Sequence, residues 1–280
     1  MVASPVATDR PAAPGAVDEL RALWRARGLL FTLTATDLRT RYIGSSIGFF
    51  WTVVNPVIEL ATYTFVFHVL LQVKFHAGQT TSQYVLFLFC GMTAWSSFAD
   101  GVVRATGSIT QNATLVRKAN FPTVVLPAQV VLTAFVNQLF RTAVLLLFCI
   151  LMGDGLSWHV LLLPPFLLAQ LSFTFGLGLL VGVLAVYFRD MSHWVNAGLL
   201  IGMFMTPVVY PASAWPRDFV LLLYPNPMAQ YIGIYQSLIL GHRLPPAVTT
   251  VIYALIASGI VVLVGASVFA HNRRRFADLV

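Results

Sequence analysis

The stretch 219–241 constrains the fold of this chain more than any other. It holds 23 residues without a formal charge, which is long enough to cross a bilayer as a helix. However, Pro225-Asn226-Pro227 interrupts its first half, and each proline removes a backbone donor and clashes with the preceding turn. Hydrocarbon cannot satisfy the freed carbonyls, so protein or water must surround the break. We therefore predict short re-entrant helices over 216–241, with the break at Tyr224, Pro225, Asn226 and Pro227.

The amino-acid composition places the chain in a membrane. Of its 280 residues, 58% are hydrophobic and only 10% are charged, whereas soluble domains carry about 25% charged residues. The net charge of +7 does not indicate a nucleic-acid partner, because the basic residues flank apolar runs. Cys90 and Cys149 lie inside such runs, which favours small hydrophobic side chains over a disulfide or metal site. The fold class expected is an all-α integral membrane protein.

Apolar runs between the charged segments predict six transmembrane helices in one domain over 43–272. The spans are expected at about 48–71, 77–103, 121–152, within 155–188, 191–210 and 246–270. Thirteen of the 17 Lys and Arg residues then fall on the side that holds both termini. Because cytoplasmic loops carry excess positive charge, this predicts cytoplasmic amino and carboxyl termini. Residues 1–16 are expected to be a disordered cytoplasmic tail, and 273–280 the cytoplasmic carboxyl terminus.

Between the tail and the first span, residues 17–42 have an amphipathic pattern. Leu20, Leu23, Trp24 and Phe31 lie near one helical face, and basic residues lie opposite. A basic amphipathic helix with Trp on its apolar side is typical of the membrane interface. The alternative is an amphipathic helix that packs on protein.

The residues give no indication of catalysis. A P-loop needs a lysine after glycine to reach nucleotide phosphates, but Lys74 follows Val73 and Lys118 follows Arg117. The motifs CxxC and HExxH are also lacking from the sequence. We therefore expect no catalytic residue, no metal site and no cofactor bound by this chain.

Polar side chains recur inside the first predicted span. Every fourth residue contributes to one stripe, which consists of Trp51, Asn55, Glu59, Tyr63 and Phe67. Polar groups at bilayer depth are costly unless they face protein or water, so the stripe is expected to face a pathway or a helix–helix contact. Arg141 in the third span is a possible partner for Glu59. The alternative is that its long side chain extends toward a wet region.

The segment 104–122 is polar enough to leave the membrane. It keeps helical spacing at Ile109, Leu115 and Val116, and Arg117 and Lys118 add two adjacent cations. This pattern favours a short cytoplasmic helix that docks on a partner, with a solvated loop as the alternative.

Several motifs along the chain resemble one known family. They are DLRTRYIGSSIGFFW at 37–51, VNP at 54–56, NATLVRKANFP at 112–122, YFRDMSH at 187–193, TPVVYP at 206–211 and YPNP at 224–227. Together they resemble ABC-2-type permeases that export polysaccharides such as O-antigen, capsule and teichoic acid. The order of the motifs agrees with that family from about residue 30 to 270.

The resemblance implies a type V exporter fold and a homodimer of six-span subunits. Two separate ATPase subunits would bind ATP and Mg, and membrane lipids would surround the dimer. Segment 104–122 would couple to the ATPase, through Asn112, Leu115, Arg117, Lys118, Asn120 and Phe121. The first and fifth spans would line a channel, with candidates Trp51, Asn55, Glu59, Tyr63, Phe67, Trp194, Phe204 and Tyr210. The re-entrant helices over 216–241 would form a gate, with Tyr224, Pro225, Asn226 and Pro227 as gate residues.

The function expected from this resemblance is export of lipid-linked polysaccharide across the inner membrane. Arg39 and Arg41 are candidates to attract the diphosphate of the lipid end. One alternative is an ABC-2 exporter of drugs or small lipids. Others are an ion-coupled secondary transporter with Glu59 and Arg141 as a relay, and a membrane scaffold.

Overall fold

The computed structural model describes residues 15–41, 48–71, 81–118, 120–151, 156, 158–214, 223–240 and 247–280. Within these ranges every regular element is a helix. The α-helices are α1 (Ala16–Arg25), α2 (Arg27–Thr40), α3 (Trp51–Tyr63), α4 (Thr81–Gly107), α5 (Ala113–Val116), α6 (Val125–Leu151), α7 (Leu163–Tyr187), α8 (Met191–Phe204), α9 (Pro227–Ile239) and α10 (Val248–Leu279). All but two residues of the predicted amino-terminal tail lie outside the described residues.

Four helices of the described chain are long and apolar enough to cross a membrane. They are Gln83–Gly107, Val125–Leu151, Trp158–Tyr187 and Val248–Leu279, which correspond to the second, third, fourth and sixth predicted spans. The last of these has 32 residues and is about 48 Å long at 1.5 Å per residue. It therefore exceeds the bilayer core of about 30 Å and carries the predicted cytoplasmic segment 273–280 as a continuation of the same helix.

The first and fifth predicted spans differ from a plain helix. In the first, α3 follows a 3₁₀ turn at Gly48–Phe50 and continues as π-helix over Thr64–Leu70. In the fifth, α8 has 14 residues and ends at Phe204, six residues before the predicted end. The backbone turns there because Thr206 donates its hydroxyl to the Gly202 carbonyl at 2.7 Å and Pro207 follows, which cannot continue the helix.

Helix α9 follows the proline break and is buried. It has 13 residues and is about 20 Å long, which is too short to cross the hydrocarbon core. Tyr231, Ile232, Ile234 and Leu238 are fully buried, and α9 packs on α4, α7 and α10. The earlier part of the predicted gate, 216–222, and its last residue, 241, lie outside the described residues.

The amino-terminal segment forms two helices rather than one, with a turn at Ala26. Leu20 and Leu23 pack on a buried cluster that includes Phe269 and Phe276 of α10. Glu19 is buried and accepts a hydrogen bond from Arg273 at 3.0 Å. Trp24, in contrast, is 70% exposed. Helix α1 therefore packs on protein with its leucines, while its tryptophan is left outside the bundle.

Helices α7 and α10 make the most extended helix–helix contact in the described residues. They approach closely at Gly176 and Gly265, where a Cβ on Gly176 would lie 2.6 Å from the Val261 carbonyl carbon. A Cβ on Gly265 would collide with the backbone of Gly176. Small residues at such crossings let helix backbones pack against one another in the bilayer, where apolar burial gives little driving force.

A buried polar cluster joins four helices at the centre of the bundle. Gln170 of α7 accepts from Gln138 of α6 at 2.8 Å and from the Tyr235 hydroxyl of α9 at 2.6 Å. Its own amide donates to the Ala94 carbonyl of α4 at 2.9 Å. All three polar side chains are at most 3% exposed. The cluster therefore ties the short helix α9 to three membrane-length helices.

The glycine crossing predicts a position-specific loss of stability. Gly265→Ala places a methyl group against the Gly176 backbone, and overpacking of this kind costs about 1–3 kcal/mol. We expect thermal unfolding of the purified protein in detergent to begin at a clearly lower temperature.

Gly259→Ala is the matched control, since it lies on the same helix and a Cβ there meets nothing within 4 Å. It is expected to unfold at the wild-type temperature or slightly above, because alanine favours a helix by about 1 kcal/mol over glycine. Equal unfolding temperatures for the two variants would contradict the close crossing.

Candidate functional site

The predicted stripe of the first span contacts protein. A guanidinium nitrogen of Arg141 lies 3.6 Å from a carboxylate oxygen of Glu59, and the Tyr63 hydroxyl donates to the other oxygen at 3.0 Å. The ring of Phe67 meets Tyr84 of α4 edge-on, with centroids 5.4 Å apart. Of the two alternatives for Arg141, the structure supports the pair with Glu59, which lowers the cost of holding both charges at bilayer depth.

The remaining stripe residues, Trp51 and Asn55, line a polar cavity together with α4 and α6. All five stripe residues therefore lie on the side of α3 and its π-helical continuation that faces the bundle or this cavity. Apolar residues such as Val53, Val57 and Ile58 occupy other positions on the same helix and are exposed.

The fifth-span candidates lie apart from this arrangement. Helix α8 packs mainly on α4 and α7, and Val195 is its one buried residue. Trp194 is 73% exposed and Phe204 is 55% exposed, so neither belongs to the core of the described chain. Tyr210 donates its hydroxyl to the Phe204 carbonyl. Helix α8 therefore presents aromatic side chains to its surroundings over much of its length.

The proline break is stabilised by side chains that replace missing backbone partners. Asn226 caps α9 by accepting from the backbone N–H groups of Met228 and Ala229 at 3.0 and 3.3 Å. Its amide donates to Thr206 Oγ1 at 2.9 Å, which ties α9 to the end of α8. Asn226 therefore satisfies groups on both sides of the break.

The carbonyls of the break itself also have donors. Gln230 donates to the Leu223 carbonyl at 2.9 Å, and the Tyr253 hydroxyl of α10 donates to the Pro225 carbonyl at 2.7 Å. Tyr224 is 65% exposed. The sequence pattern indicates the break but not these donors, because Gln230 and Tyr253 carry no local signal that marks their targets.

The segment 104–122 contains a 3₁₀ turn at Thr110–Asn112 followed by the single helical turn of α5. Its apolar residues face inward. Ile109 and Val116 are buried with Phe269 and Phe276, and Leu115 and Phe121 pack against the same cluster. The exposed side consists of polar residues, namely Gln111, Thr114, Arg117, Lys118 and Asn120. Asn112 is half-buried and donates to the Ser108 carbonyl at 2.9 Å.

Two of these residues have further constraints. Arg117 donates to the Val280 carbonyl, from Nε at 3.0 Å, so its side chain is held against the end of α10. Asn120 has a φ of 68°, a left-handed conformation that asparagine tolerates better than most residues. This turn redirects the chain into α6.

Four charged residues form an ionic cluster between α2 and α4. Asp37 lies 2.6 Å from a nitrogen of Arg104 and 3.8 Å from Arg41, and Arg41 lies 3.2 Å from Asp100. Two carboxylates therefore balance two guanidinium groups. The spacing of four residues in both Asp37/Arg41 and Asp100/Arg104 was a sequence signal for this cluster, because it puts each pair on one helical face.

The two arginines proposed for a lipid diphosphate thus differ in their surroundings. Arg41 belongs to the ionic cluster, whereas Arg39 is exposed on α2. Because Arg41 already has two carboxylate neighbours, Arg39 is the better placed of the two to attract an anion in the surroundings.

Comparison with known proteins connects this geometry to a family. The sequence model of the ABC-2 type transporter family matches residues 28–240. The O-antigen export system permease protein RfbA of Myxococcus xanthus is 34% identical over 262 residues, which cover 92% of this chain and 98% of that protein. A protein of the same name from Klebsiella pneumoniae is 29% identical over 254 residues, which cover 90% of this chain and 94% of that protein. This chain belongs to the ABC-2 type transporter family.

Proposed function

We propose that this chain is the transmembrane subunit of an ABC transporter that exports lipid-linked, O-antigen-like polysaccharide. The observation that carries the proposal is the 34% identity to an O-antigen export permease along 98% of that protein's length. Separate ATPase subunits bind ATP and Mg and supply the energy. The chain itself contributes the path through the membrane.

The proposed topology has six spans in the inner membrane, with both termini in the cytoplasm. Four spans are the long apolar helices, and the other two are α3 with its π-helical continuation and α8 with the turns that follow it. In this topology helix α9 is re-entrant, because it is short, buried and capped by Asn226. The clustering of Lys and Arg in the segments between spans supports the orientation.

The proposed transport path lies between two copies of the chain. Supporting this, the first span, from its 3₁₀ turn to its π-helical continuation, and α8 expose large apolar side chains, including Phe50, Phe65, Trp194, Ile201 and Phe204. Exposed apolar surface marks an interaction site or contact with lipid. In a homodimer the two pairs of helices would face one another, and their aromatic rings would offer surfaces to the C–H faces of sugars.

Weak, repeated contacts suit a polymer that must leave each site again, as in channels. Aromatic rings provide such contacts without requiring one hydrogen-bond pattern. At the bundle end that carries α2, exposed Arg39 would attract the diphosphate of the lipid carrier.

The proposed coupling surface is the exposed polar side of 110–120. Its apolar residues are already used by the cluster around Phe269 and Phe276, so a partner would contact the polar side chains. Lys118 is exposed there. Movement of an ATPase against this surface would reach α10 directly, because Arg117 holds the end of that helix.

The first prediction from the proposed function concerns export itself. Deletion of the gene is expected to cause a lipid-linked glycan to accumulate in the cytoplasm, and the wild-type chain is expected to restore export. In proteoliposomes with the ATPase subunits, that glycan lipid should raise ATP hydrolysis, and Arg39→Gln should reduce the stimulation.

Complementation with an inactive ATPase partner is the control, and it should fail to restore export. Export without ATP hydrolysis would instead indicate an ion-coupled transporter. Accumulation of a drug or a small lipid in place of glycan would indicate the other ABC-2 substrate class.

The second prediction tests the topology by cysteine labelling in right-side-out membrane vesicles. Cys90 and Cys149 are buried and give little background. Trp158→Cys, between α6 and α7, is expected to react with a membrane-impermeant maleimide. Arg275→Cys is expected to react only after permeabilisation. Labelling of position 275 from the outside would contradict the orientation.

The third prediction tests the coupling surface. Lys118→Glu reverses an exposed charge without touching the buried cluster, and it is expected to reduce copurification of the ATPase about tenfold, since a like charge across an interface weakens association. Lys118→Arg keeps the charge and should copurify normally. Membrane insertion should be equal for both variants. Undiminished copurification of Lys118→Glu would contradict the assignment, whereas Phe121→Ala is less informative because Phe121 also packs inside this chain.

A further inference from the structure

The end of α10 is longer than a membrane span needs and is supported by other parts of the chain. With 32 residues, α10 is about 48 Å long, whereas the bilayer core is about 30 Å thick. The turns beyond that thickness carry three adjacent arginines, Arg273, Arg274 and Arg275. Two short helices, α1 and α5, pack against α10, so its end joins two separate parts of the chain.

Neither short helix is stable without this contact. Helix α1 has ten residues and α5 has four, and isolated helices shorter than about 12–15 residues are marginal in water. Leu20 and Leu23 of α1 pack against the cluster that contains Phe269 and Phe276, and so does Leu115 of α5. One apolar cluster therefore supports both helices, and displacement of α1 would open the cluster that supports α5.

A buried ion pair fixes α1 on α10. Glu19 is 1% exposed and accepts a hydrogen bond from Arg273 at 3.0 Å. Within the described residues, Arg273 is the one ionic partner of Glu19, and the second carboxylate oxygen has no hydrogen-bond partner. A buried charge that loses its partner is costly, although an intact pair adds little net stability. Helix α1 therefore cannot slide or rotate on α10 without leaving a buried carboxylate unpaired.

The general preference for cytoplasmic arginine does not explain this pair. The positive-inside rule counts charges near the membrane without regard to their partners, so it accounts for a residue such as Arg275, which is exposed. It does not account for a glutamate that is buried against Arg273. The neighbouring pair of Asp18 and Arg21 gives the contrast, because both of its side chains are more than half exposed. Surface pairs of that kind contribute little.

We propose that Glu19 and Arg273 are positioning residues for coupling to the ATPase. The pair holds α1 against α10 and so keeps the cluster around Phe269 and Phe276 closed. That cluster in turn holds 110–120 in the arrangement that the ATPase binds. The inference rests on the proposed function, and it extends the coupling apparatus from segment 104–122 to the first and last helices of the described chain.

The test measures binding of the ATPase that copurifies with the wild-type chain. The full-length chain is placed in lipid nanodiscs, and ATPase is added at rising concentration to obtain the Kd and the maximal amount bound. Arg273→Glu sets two carboxylates against each other. We expect the Kd to rise about tenfold, because a segment that holds its binding arrangement about a tenth of the time binds tenfold more weakly. The maximal amount bound should stay at the wild-type level.

Three further variants separate the ion pair from general effects of charge. Arg275→Glu makes the same change at an exposed position of α10 and is expected to keep the wild-type Kd. The double variant Glu19→Arg with Arg273→Glu restores opposite charges and should recover most of the lost affinity. Arg273→Lys keeps the charge and should bind normally. If Arg273→Glu does not fold, Arg273→Gln replaces it with a smaller expected rise in the Kd, since it removes the charge but keeps a donor.

A wild-type Kd for the folded Arg273 variant would overturn the proposal, and so would an equal rise in the Kd of Arg275→Glu. A lower maximal amount bound at an unchanged Kd would also overturn it, because it indicates misfolded chain and not a displaced segment. If no ATPase copurifies with the wild-type chain, the proposed function itself fails. If the ATPase binds and the pair has no effect on its Kd, the positioning role alone is wrong.

Discussion

A helix that breaks inside an apolar bundle leaves carbonyl groups that only other protein groups can satisfy. In this chain the break before α9 is resolved by side chains from three places. Asn226 caps the new helix and reaches back to Thr206, Gln230 serves the Leu223 carbonyl, and Tyr253 serves the Pro225 carbonyl. The position of α9 therefore depends on α8 and α10 as much as on its own sequence. Because Tyr235 also donates to Gln170, the buried polar cluster holds α9 at a second point.

These polar contacts have particular weight in a membrane protein, where lipid chains are as apolar as leucine and helix association relies on close packing and hydrogen bonds. Individual bonds of this kind contribute about 0.6–2 kcal/mol, so no single one determines the fold. The arrangement of these bonds determines the fold instead, because Gln170 contacts α4, α6 and α9 from one position on α7. Elsewhere on α7, the crossing of Gly176 with Gly265 of α10 leaves no room for any side chain.

The sequence alone predicted the long apolar helices, the interruption at Pro225 and Pro227, and a Glu59 stripe that faces either a pathway or a helix–helix contact. These features follow from local periodicity and from the cost of polar groups in hydrocarbon. It did not predict the Gln138–Gln170–Tyr235 cluster, because its members are separated by 32 and 65 residues and each is an ordinary polar residue in an apolar run. The early end of α8 was also missed, because the uncharged run continues past Phe204 to Tyr210, although Pro207 within it is a local signal for the end. The site residues are even harder to predict from the sequence, because the exposure of Trp194 and the ion pairs of Arg41 are set by tertiary packing.

The distribution of charge bears on how a glycan could pass this bundle. Three cations near the first span, Arg41, Arg104 and Arg141, each have a carboxylate neighbour within 4 Å. Paired charges have little net field, so they would not trap an anion. The unbalanced cations, such as Arg39 and Lys118, lie instead on exposed surfaces of α2 and of the loop after α4. The cations that would attract a charged group and the surfaces that would pass neutral sugar therefore lie in different parts of the chain. The exposed aromatic rings of the first span and of α8 would complete the sugar path only when a second copy of the chain faces them.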